Sequence, residues 1–562
     1  MEKRVLLAIS LSFVVLFVYQ TLFVKSVPKP APKPATTTAS GPAATPSADQ
    51  PSDQRAAEQA PATPALPEVA TLVSDTEERD IVVESDAIRA VFSNRGAELK
   101  HWTLKKYFDD AKKPVDLVPA HLPENEPRAF GLVFDDPALT ARLRSALFRP
   151  SASRLDIAAG GRQLAFDYQD ASGLRVRKVF DFESGNQPYV VAVTVEASLG
   201  DARLAPALTS GPGVGDTERA AGSGGSFLSP SYYQKPEGIF HRDGEVTRIA
   251  ATKLASEPRH EGRFRYAGTD DHYFISTALL ADRQARVDYR PLNVATPEGP
   301  RELVAYDLRL GEPIKDLKVY LGPKHFDVLL PVDREMVRVI NFGMFSWLVV
   351  PLLRALNWIN GFAANYGVSI ILLTIFINVV IFPLRHKSMV SMRKMQELQP
   401  RVKAIQDRYA GLKATDPARQ KMNTEMMNLY REHGVNPASG CVPMLLTFPV
   451  LFAFYAMLSQ AIELRGAPFF GWITDLSRHD PWYVTPLLMG ATMVWQQKIT
   501  PTSADPMQAK VMMFMPIMFT FMFLWAPSGL VVYWFVSNLM AIGQQYLTNH
   551  LISTAKAAKA GR

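Results

Sequence analysis

Cysteine is almost absent: Cys441 is the single one in 562 residues. That excludes an intramolecular disulfide and any multi-cysteine metal site, so a part of this chain exported to an oxidising compartment has to fold on packing alone. A Walker A phosphate loop is missing, as is any nucleophile with a partnered base, so nothing points to nucleotide hydrolysis or covalent catalysis; no enzyme activity and no cofactor are expected. His241, His260 and His272 stand among charged residues without metal-ligand spacing, and no metal is expected either. The inverted repeat usual in solute transporters is not seen. Nor does charge of one sign dominate: 61 Lys+Arg against 54 Asp+Glu leave +7. Only the placement of that excess can say whether it serves nucleic acid or an anionic membrane surface.

What the chain does have is apolar residues in blocks, 47% of a sequence too long for one hydrophobic core. Val5 to Val24 (VLLAISLSFVVLFVYQTLFV) supplies the ~20 residues that cross a bilayer as a helix. Lys3 and Arg4 ahead of it place the N-terminus in the cytoplasm. A cleavable signal peptide is the rival, but the stretch exceeds an h-region of roughly 7–15 residues and is followed by Lys25-Ser26-Val27-Pro28 in place of an A-x-A site. Residues 1–27 are therefore read as a transmembrane anchor. Residues 28–68, mostly Pro, Ala, Ser and Thr, read as a disordered linker that cannot bury enough apolar surface to order itself. From 69 to 332 the apolar period is two, as in Ala87 to Ser93 (AIRAVFS), Val179 to Glu183 (VFDFE) and Tyr189 to Glu196 (YVVAVTVE), with Gly and Pro between runs. So many short strands predict one β-sandwich domain across the membrane from the N-terminus. Asp270-Asp271 reads as a turn or as an acid/base pair; together with the three histidines it is expected in solvated loops. A sugar-binding role would rest on fold analogy alone.

At Asp333 the period becomes helical. Val337, Ile340, Met344 and Trp347 share a stripe, with Arg334, Arg338 and Asn341 elsewhere, which predicts an amphipathic helix over 333–361 lying along the membrane surface. Five spans are expected within 362–548: about Phe362 to Leu384, Cys441 to Ile462, Trp482 to Gln497, Val511 to Trp525 and Gly529 to Leu547. Two are short, and Pro516 and Pro527 interrupt the last apolar run, which leaves re-entrant segments open. Arg385 to Gly440 is dense in Lys and Arg, from Arg385 and Lys387 to Arg431, whereas Glu463 to Pro481 has only Arg465 and Arg478. Lys498 and Lys510 flank the next loop, and Lys556, Lys559 and Arg562 lie in the tail, 549–562. Six spans with both ends cytoplasmic satisfy this pattern. Within the basic loop, Met395, Leu398, Val402, Ile405 and Tyr409 step by three and four, as do Met422, Met426 and Leu429 after Gly411 to Pro417. This predicts a cytoplasmic helical hairpin, 385–435, with one apolar seam and a basic face. Such a face suits ribosomal RNA, anionic lipid or an acidic protein, and no specific DNA.

Several runs resemble the YidC-type membrane protein insertases. They are Asn436-Pro437-Ala438-Ser439-Gly440-Cys441-Val442-Pro443 entering a span, Asp475-Leu476-Ser477 with Asp480-Pro481 in an outer loop, Phe514-Met515-Pro516, and Trp525-Ala526-Pro527-Ser528-Gly529-Leu530. Tyr533-Trp534 and Ser537-Asn538 follow the last, and Gly322-Pro323-Lys324 looks like that family's boundary between exported domain and membrane core. The likeness covers almost the whole chain. It implies the Gram-negative form in the bacterial inner membrane: an N-terminal transmembrane helix, a periplasmic β-sandwich of the super-sandwich kind, and an α-helical five-span insertase core with its cytoplasmic helical hairpin. It also implies that nascent membrane proteins are inserted and helped to fold through a polar groove open to cytoplasm and lipid but closed outside. The ribosome, the Sec translocon and membrane lipid are the further partners it implies. The physics agrees, because carrying one charged residue to the middle of a bilayer costs roughly 2.5–3.5 kcal/mol even on the lenient scale, and a wet groove shortens that path.

The candidate groove residues are polar groups at mid-helix: Thr374 and Asn378 in the second span, Thr447 in the third, and Tyr533, Trp534, Ser537 and Asn538 in the last. Thr374 and Thr447 can equally bond their own helix backbone, and Tyr533 and Trp534 can be interfacial aromatics. The Asn378 amide needs a partner on another helix or water. By the resemblance, Asn378 occupies the place where the family usually carries a positive residue, commonly Arg, and Thr447 the place where many members have Gln. Arg385, two turns on along the same face and roughly 10 Å away, is expected to lend its charge to the groove mouth. A solute transporter and a non-inserting assembly scaffold beside the Sec translocon stand as the alternative functions.

Overall fold

The structure is a computed structural model that describes residues 69–109, 111–119, 122, 126–158, 160–183, 185, 187–211, 234–296, 299–409, 418–435, 442–500 and 506–560. The N-terminal anchor, the linker 28–68 and the Asn436–Cys441 run lie outside them. The strands expected from period two are present: β1 (Asp80–Glu84), β2 (Ile88–Ser93), β3 (Glu98–Phe108), β4 (Gln163–Asp170), β5 (Leu174–Phe182), β6 (Val190–Leu199), β7 (Glu237–Arg242), β8 (Glu245–Ala250), β9 (Arg259–Asp270), β10 (Phe274–Thr296), β11 (Gly299–Leu310) and β12 (Leu317–Pro323). Among the described residues they form a 14-stranded sheet, ordered β4-β5-β6-β12-β10-β9-β7-β8 with Thr71–Val73 beyond β4, and a five-stranded sheet built on β3-β2-β1. The 23-residue β10 pairs with β9 on one edge and on the other serves two partners in succession, β12 along Phe274–Leu279 and β11 along Ala285–Thr296.

The two sheets face each other through aromatic side chains. Phe92 on β2 lies 4.8 Å from Phe180 on β5 and 6.1 Å from Phe166 on β4, ring centre to ring centre. The Trp102 indole on β3 donates to the Leu321 carbonyl on β12 at 3.0 Å. Strand β5 alternates as the pleat requires, with Leu174, Val176, Phe180 and Phe182 inward and Arg175 and Arg177 outward. One inward position breaks the apolar rule. Lys178 is buried, and its ammonium donates to the carbonyls of Gly96 at 2.7 Å, Ala97 at 3.2 Å and Phe130 at 2.8 Å. Gly96 and Ala97 both hold positive φ, 67° and 48°, so this tight β2–β3 corner turns its carbonyls inward and the lysine satisfies them. Burial pushes the Lys178 amine down from its ordinary value, while the nearby Glu98 carboxylate, itself buried, opposes the shift.

The solvated-loop expectation for Asp270, Asp271 and the histidines does not hold. Asp270, Asp271, His241 and His272 are all buried, and His260 is half-buried on β9 against Phe240 and Tyr289. Asp271 is a turn residue, its carboxylate accepting from the Tyr273 and Phe274 amides at 2.8 and 2.7 Å, but the turn is covered. Lys324 reaches Asp270 at 3.2 Å and also donates to the Asp271 carbonyl, and Arg248 closes on Asp270 at 3.5 Å. The cover is the helical part of the chain: His272 Nε2 lies 2.6 Å from the Ser459 carbonyl.

The helical part comprises α1 (Ser346–Ala363), α2 (Tyr366–Glu397), α3 (Gln399–Arg408), α4 (Ala418–Glu432), α5 (Val442–Gln460), α6 (Val484–Ile499), α7 (Pro506–Met522) and α8 (Ser528–Ala560). By length and composition α2 can cross a membrane, with a mean hydropathy of 2.5 over its most apolar window; the apolar stretches Phe448–Gln460 and Met513–Trp525 are shorter. The amphipathic helix starts later than its period suggested. Arg334–Val339 and Gly343–Phe345 are separate 3-10 turns, and Gly343 at φ 64° ends any helix before Ser346. The expected stripe is therefore split, with Ile340 buried and Val337 half-buried but Met344 and Trp347 exposed. The true amphipathic helix is α1, burying Val349, Leu352, Leu353, Leu356 and Ile359 at helical spacing. The hairpin also lacks a break at 385, since α2 runs through Pro383 to Glu397 and turns only at Leu398. Val402, Ile405 and Met422 bury the hairpin seam as expected, and the Tyr409 hydroxyl donates to Glu425 at 2.8 Å.

Replacing Lys178 with methionine keeps the volume, strips three carbonyls of their donor and leaves Glu98 without its cation. The expected loss is about 3–5 kcal/mol, seen as a lower midpoint when the loss of β-sheet circular dichroism is followed on heating. An unchanged midpoint would show that the lysine is not what holds this corner.

Candidate functional site

Helices α2 and α8 pack side by side, and the polar residues expected at mid-helix meet along that seam. Thr374 is fully buried and its hydroxyl donates to the Ile370 carbonyl one turn back, so it bonds its own helix. The Asn378 amide donates to the Thr374 carbonyl at 2.8 Å and to the Ser537 hydroxyl of α8 at 3.4 Å. Its oxygen accepts from Arg385 at 2.8 Å. Side chains on a helix lean toward its N-terminus, so Arg385 folds back along α2 and delivers its guanidinium to Asn378 across two turns. Tyr533 on α8 hydrogen-bonds Ser537 and stacks on Phe454 of α5, ring centres 4.0 Å apart and planes 14° from parallel. Three helices thus converge on one polar cluster: Asn378, Arg385, Ser537 and Tyr533.

Two of the expected residues belong elsewhere. Asn538 points to α6, donating to the Thr492 hydroxyl at 3.2 Å. Trp534 packs on Phe519 of α7 and on Phe523 beyond it, with centroids at 5.5 and 4.8 Å. One turn of helix holds 3.6 residues, so the neighbours of Tyr533 and Ser537 face away from them. Thr447 lies on α5, and its side chain lies outside the described residues. The seam also holds partners that sequence reasoning missed. Gln544 donates to the Phe382 carbonyl at 3.1 Å, and His386 meets Thr548 at 3.0 Å. Ser537, Gln544 and Thr548 fall at i, i+7 and i+11, and Asn378, Phe382 and His386 at i, i+4 and i+8, so the periodic signal was present in both helices. The paired numbers rise together, which makes α2 and α8 parallel.

At the other end of the seam the chain is clamped. Asn365 caps α2 through the Val368 amide and donates to the Phe469 carbonyl at 3.2 Å; a Cβ on Gly367 would collide with the Phe469 ring. The first amides of α8, which have no partner within the helix, are taken up by the loop before α6. Ser528 donates to the Arg478 carbonyl at 2.6 Å and Gly529 to the Leu476 carbonyl at 3.0 Å. The Asp475-Leu476-Ser477 and Pro527-Ser528-Gly529 runs singled out in the sequence are therefore two sides of one contact. Asp480 anchors the loop, accepting from the Trp472 indole, the Trp482 amide, and the Thr485 amide and hydroxyl, all at 2.8–2.9 Å. Burial pushes its carboxyl up, but these donors outweigh it and hold the group below the ordinary carboxylate value.

A sheet domain thus sits on the clamped end of a helical core with a polar seam running away from it, and the known proteins that this chain matches are membrane protein insertases. Residues 80–355 match the family described as YidC periplasmic domain, and residues 358–556 the family described as 60Kd inner membrane protein. The membrane protein insertase YidC of Geobacter metallireducens is 34% identical over 99% of this chain and 100% of its own length. That of Geobacter sulfurreducens is 36% identical over 84% of this chain and 87% of its own. Among solved structures, an active YidC insertase with its first transmembrane domain resolved covers 86% of this chain and 95% of its own at 18% identity, with a TM-score of 0.34. This chain belongs to the YidC family of inner-membrane protein insertases.

Asp480→Asn removes the charge and turns one acceptor into a donor, with an expected cost of about 2–3 kcal/mol at the clamped end. Because the folded-state pKa lies below the unfolded one, the Asp480 contribution is complete above the unfolded value near 3.8 and disappears as pH falls through the folded value. Trp472 and Trp482 stack 5.1 Å apart beside it, so tryptophan fluorescence should stay flat from pH 7 to about pH 5 and change only below about pH 4. In the Asn variant that acid transition should be gone.

Proposed function

We propose that the α2–α8 seam is the inner wall of a groove that receives a client's hydrophilic segment from the cytoplasm, while the client's apolar helix leaves sideways into lipid. The observation that carries this reading is the Asn378–Arg385 hydrogen bond. A cation is brought from the basic end of α2 to the depth of Asn378, at the place where the family resemblance puts a positive charge. There it can attract the acidic part of a client and supports a hydrated site where hydrocarbon would otherwise impose roughly 2.5–3.5 kcal/mol per charged residue. The clamp among Phe469, Leu476, Arg478 and Ser528 supports a groove closed at the outer end. Phe514, Ile517, Met518 and Phe521, exposed along α7, supply an apolar flank by which a client can leave.

The same reading places the sheet domain in the periplasm and six spans with both termini in the cytoplasm, which agrees with the parallel packing of α2 and α8 and with the basic loop between α2 and α5. The hairpin α3–α4 is assigned as the surface for ribosome and anionic lipid, and the Sec translocon as an adjoining partner. A passive scaffold is the second reading; the charge carried into the seam favours insertion.

Two measurements test these points. In proteoliposomes given a short single-span client, Asn378→Leu and Arg385→Gln should both lower insertion. Arg385→Gln should cost about tenfold, the equivalent of about 1.4 kcal/mol, for a client with an acidic translocated segment, and much less for a neutral one. Equal insertion by parent and variants, or an equal loss with both clients, would overturn the groove. For topology, in a Cys441→Ser background Ser553→Cys should react with a membrane-impermeant maleimide only from the cytoplasmic side and Ser477→Cys only from the outer side. Labelling of both from one side would refute the parallel arrangement across the bilayer.

A further inference from the structure

Where the sheet domain rests on the helical core, the contact buries a carboxylate. Glu463, just past the end of α5, has 1% of its side chain exposed. Its Oε1 accepts from the Phe326 amide at 3.3 Å and lies 3.6 Å from His325 Nδ1, while Oε2 is buried with no hydrogen-bond partner among the described residues. The titratable groups around it come from every part that meets there: His325 and Asp327 at the foot of the sheet domain, Tyr107 on β3 and Tyr366 on α2. From α1 come Asn357 and Asn360, both bonded to the Tyr366 hydroxyl, and Asn360 Oδ1 is likewise buried without a donor. The nearby guanidiniums lie over rings, Arg354 over Phe326 and Arg465 over Tyr273 and Phe274. A buried contact with more acceptor oxygens than donors is short of a proton.

We propose that Glu463 and His325 bind one proton between them, and that this proton latches the sheet domain to the core. His325 Nδ1 stands between two bonds. With the ring neutral it accepts from the Asp327 amide at 3.3 Å and caps the one-turn helix Phe326–Leu329; once protonated, Nδ1 turns donor and the Glu463 carboxylate is its acceptor. With one proton the pair carries no net charge. Without it a bare carboxylate is held between packed surfaces, a cost that separating the two parts relieves. Burial pushes the Glu463 carboxyl up from its ordinary value of 4.5; the His325 charge and the Phe326 amide oppose the shift, and Asp327 adds to it. With the docked value above the undocked one, the proton's contribution to docking is complete below that ordinary value and is lost as pH rises through the docked one. His325, with 23% of its side chain exposed, gives the proton its way in. His272 in the same interface differs: as a neutral ring it accepts from the Gln234 amide at 3.2 Å and donates to the Ser459 carbonyl at 2.6 Å, so both nitrogens are already used. The latch therefore senses the pH of the compartment into which the sheet domain projects.

The test is amide hydrogen exchange of residues 324–330 and 459–466, followed by mass spectrometry on the full-length chain in nanodiscs from about pH 5.5 to about pH 9 and corrected for the chemical exchange rate. Release of a single proton should raise the open fraction by up to about tenfold per pH unit. Glu463→Gln brings its own N–H donor and needs no proton, so its corrected exchange should be flat across the range. His325→Asn can still accept from the Asp327 amide but cannot hold the proton, and the rise should move to lower pH. Lys178, pushed down to about 8 by burial, titrates within this range, so the latch is read from the difference between parent and variants. A parent without the rise, a rise that Glu463→Gln keeps, or one that His325→Asn leaves unmoved would refute the latch. No seam residue is altered, so the groove stands or falls separately.

Discussion

An amide buried between packed helices must be hydrogen-bonded, and the way α2 meets α8 follows from how Asn378 satisfies that demand. Its N–H groups are divided between its own helix and Ser537, which fixes the rotation of α2 against α8. Its oxygen is left for a donor, and the donor is Arg385. A cation so placed is tolerable only where its charge is solvated or paired, so the pair that satisfies the amide also makes the surrounding seam polar. Tyr533 extends the requirement to α5 by stacking on Phe454 while bonding Ser537.

The two ends of the core solve their backbone problems differently, and this gives the molecule a direction. At one end the free amides of α8 and the cap of α2 are taken up by the loop 467–483, held in turn by Asp480, and the sheet domain closes over α5 through His272 and Ser459. Phe326 at the foot of the sheet domain donates its amide to Glu463 at 3.3 Å, so the two parts cap one another's turns. At the other end the contacts between α2 and α8 are made by side chains, Gln544 to the Phe382 carbonyl and His386 to the Thr548 hydroxyl, and α2 continues past them into the hairpin. The first kind of end resists opening because several backbone hydrogen bonds would be lost together; the second opens by changing rotamers.

Much of this was legible in the sequence, and what was not has definite causes. Strands were readable because each buries one face, as β5 shows residue by residue, and the hairpin seam because Val402, Ile405 and Met422 keep their period. The polar set at mid-helix pointed to the right helices, but residue type alone could not separate Ser537 from Asn538, which differ by one residue and face different neighbours. Period failed at 333–345, where Gly343 interrupts a stripe that a helical wheel joins. Burial of Asp270, Asp271 and His272 was illegible for a stronger reason: their partners are distant in sequence, Lys324 for the aspartates and Ser459, 187 positions away, for His272, and no local pattern records such contacts.

That long-range contact ties the parts of the core to one another. Lys324 and Arg248 hold Asp270, Asp270 and Asp271 hold the β9–β10 turn, the turn holds the C-terminal end of α5 through His272, and α5 carries Phe454 to Tyr533 in the seam. Each link is a buried polar contact or a close ring stack, and the low dielectric that makes such contacts strong when complete makes them costly when one partner is withdrawn. A displacement of α5 that widened the seam at its clamped end would therefore break the Ser459 contact and expose the Lys324 network at once. Displacement of α7, which bears the exposed Phe514, Ile517 and Phe521, breaks no comparable network among the described residues. The asymmetry favours yielding at α7 over yielding toward the sheet domain.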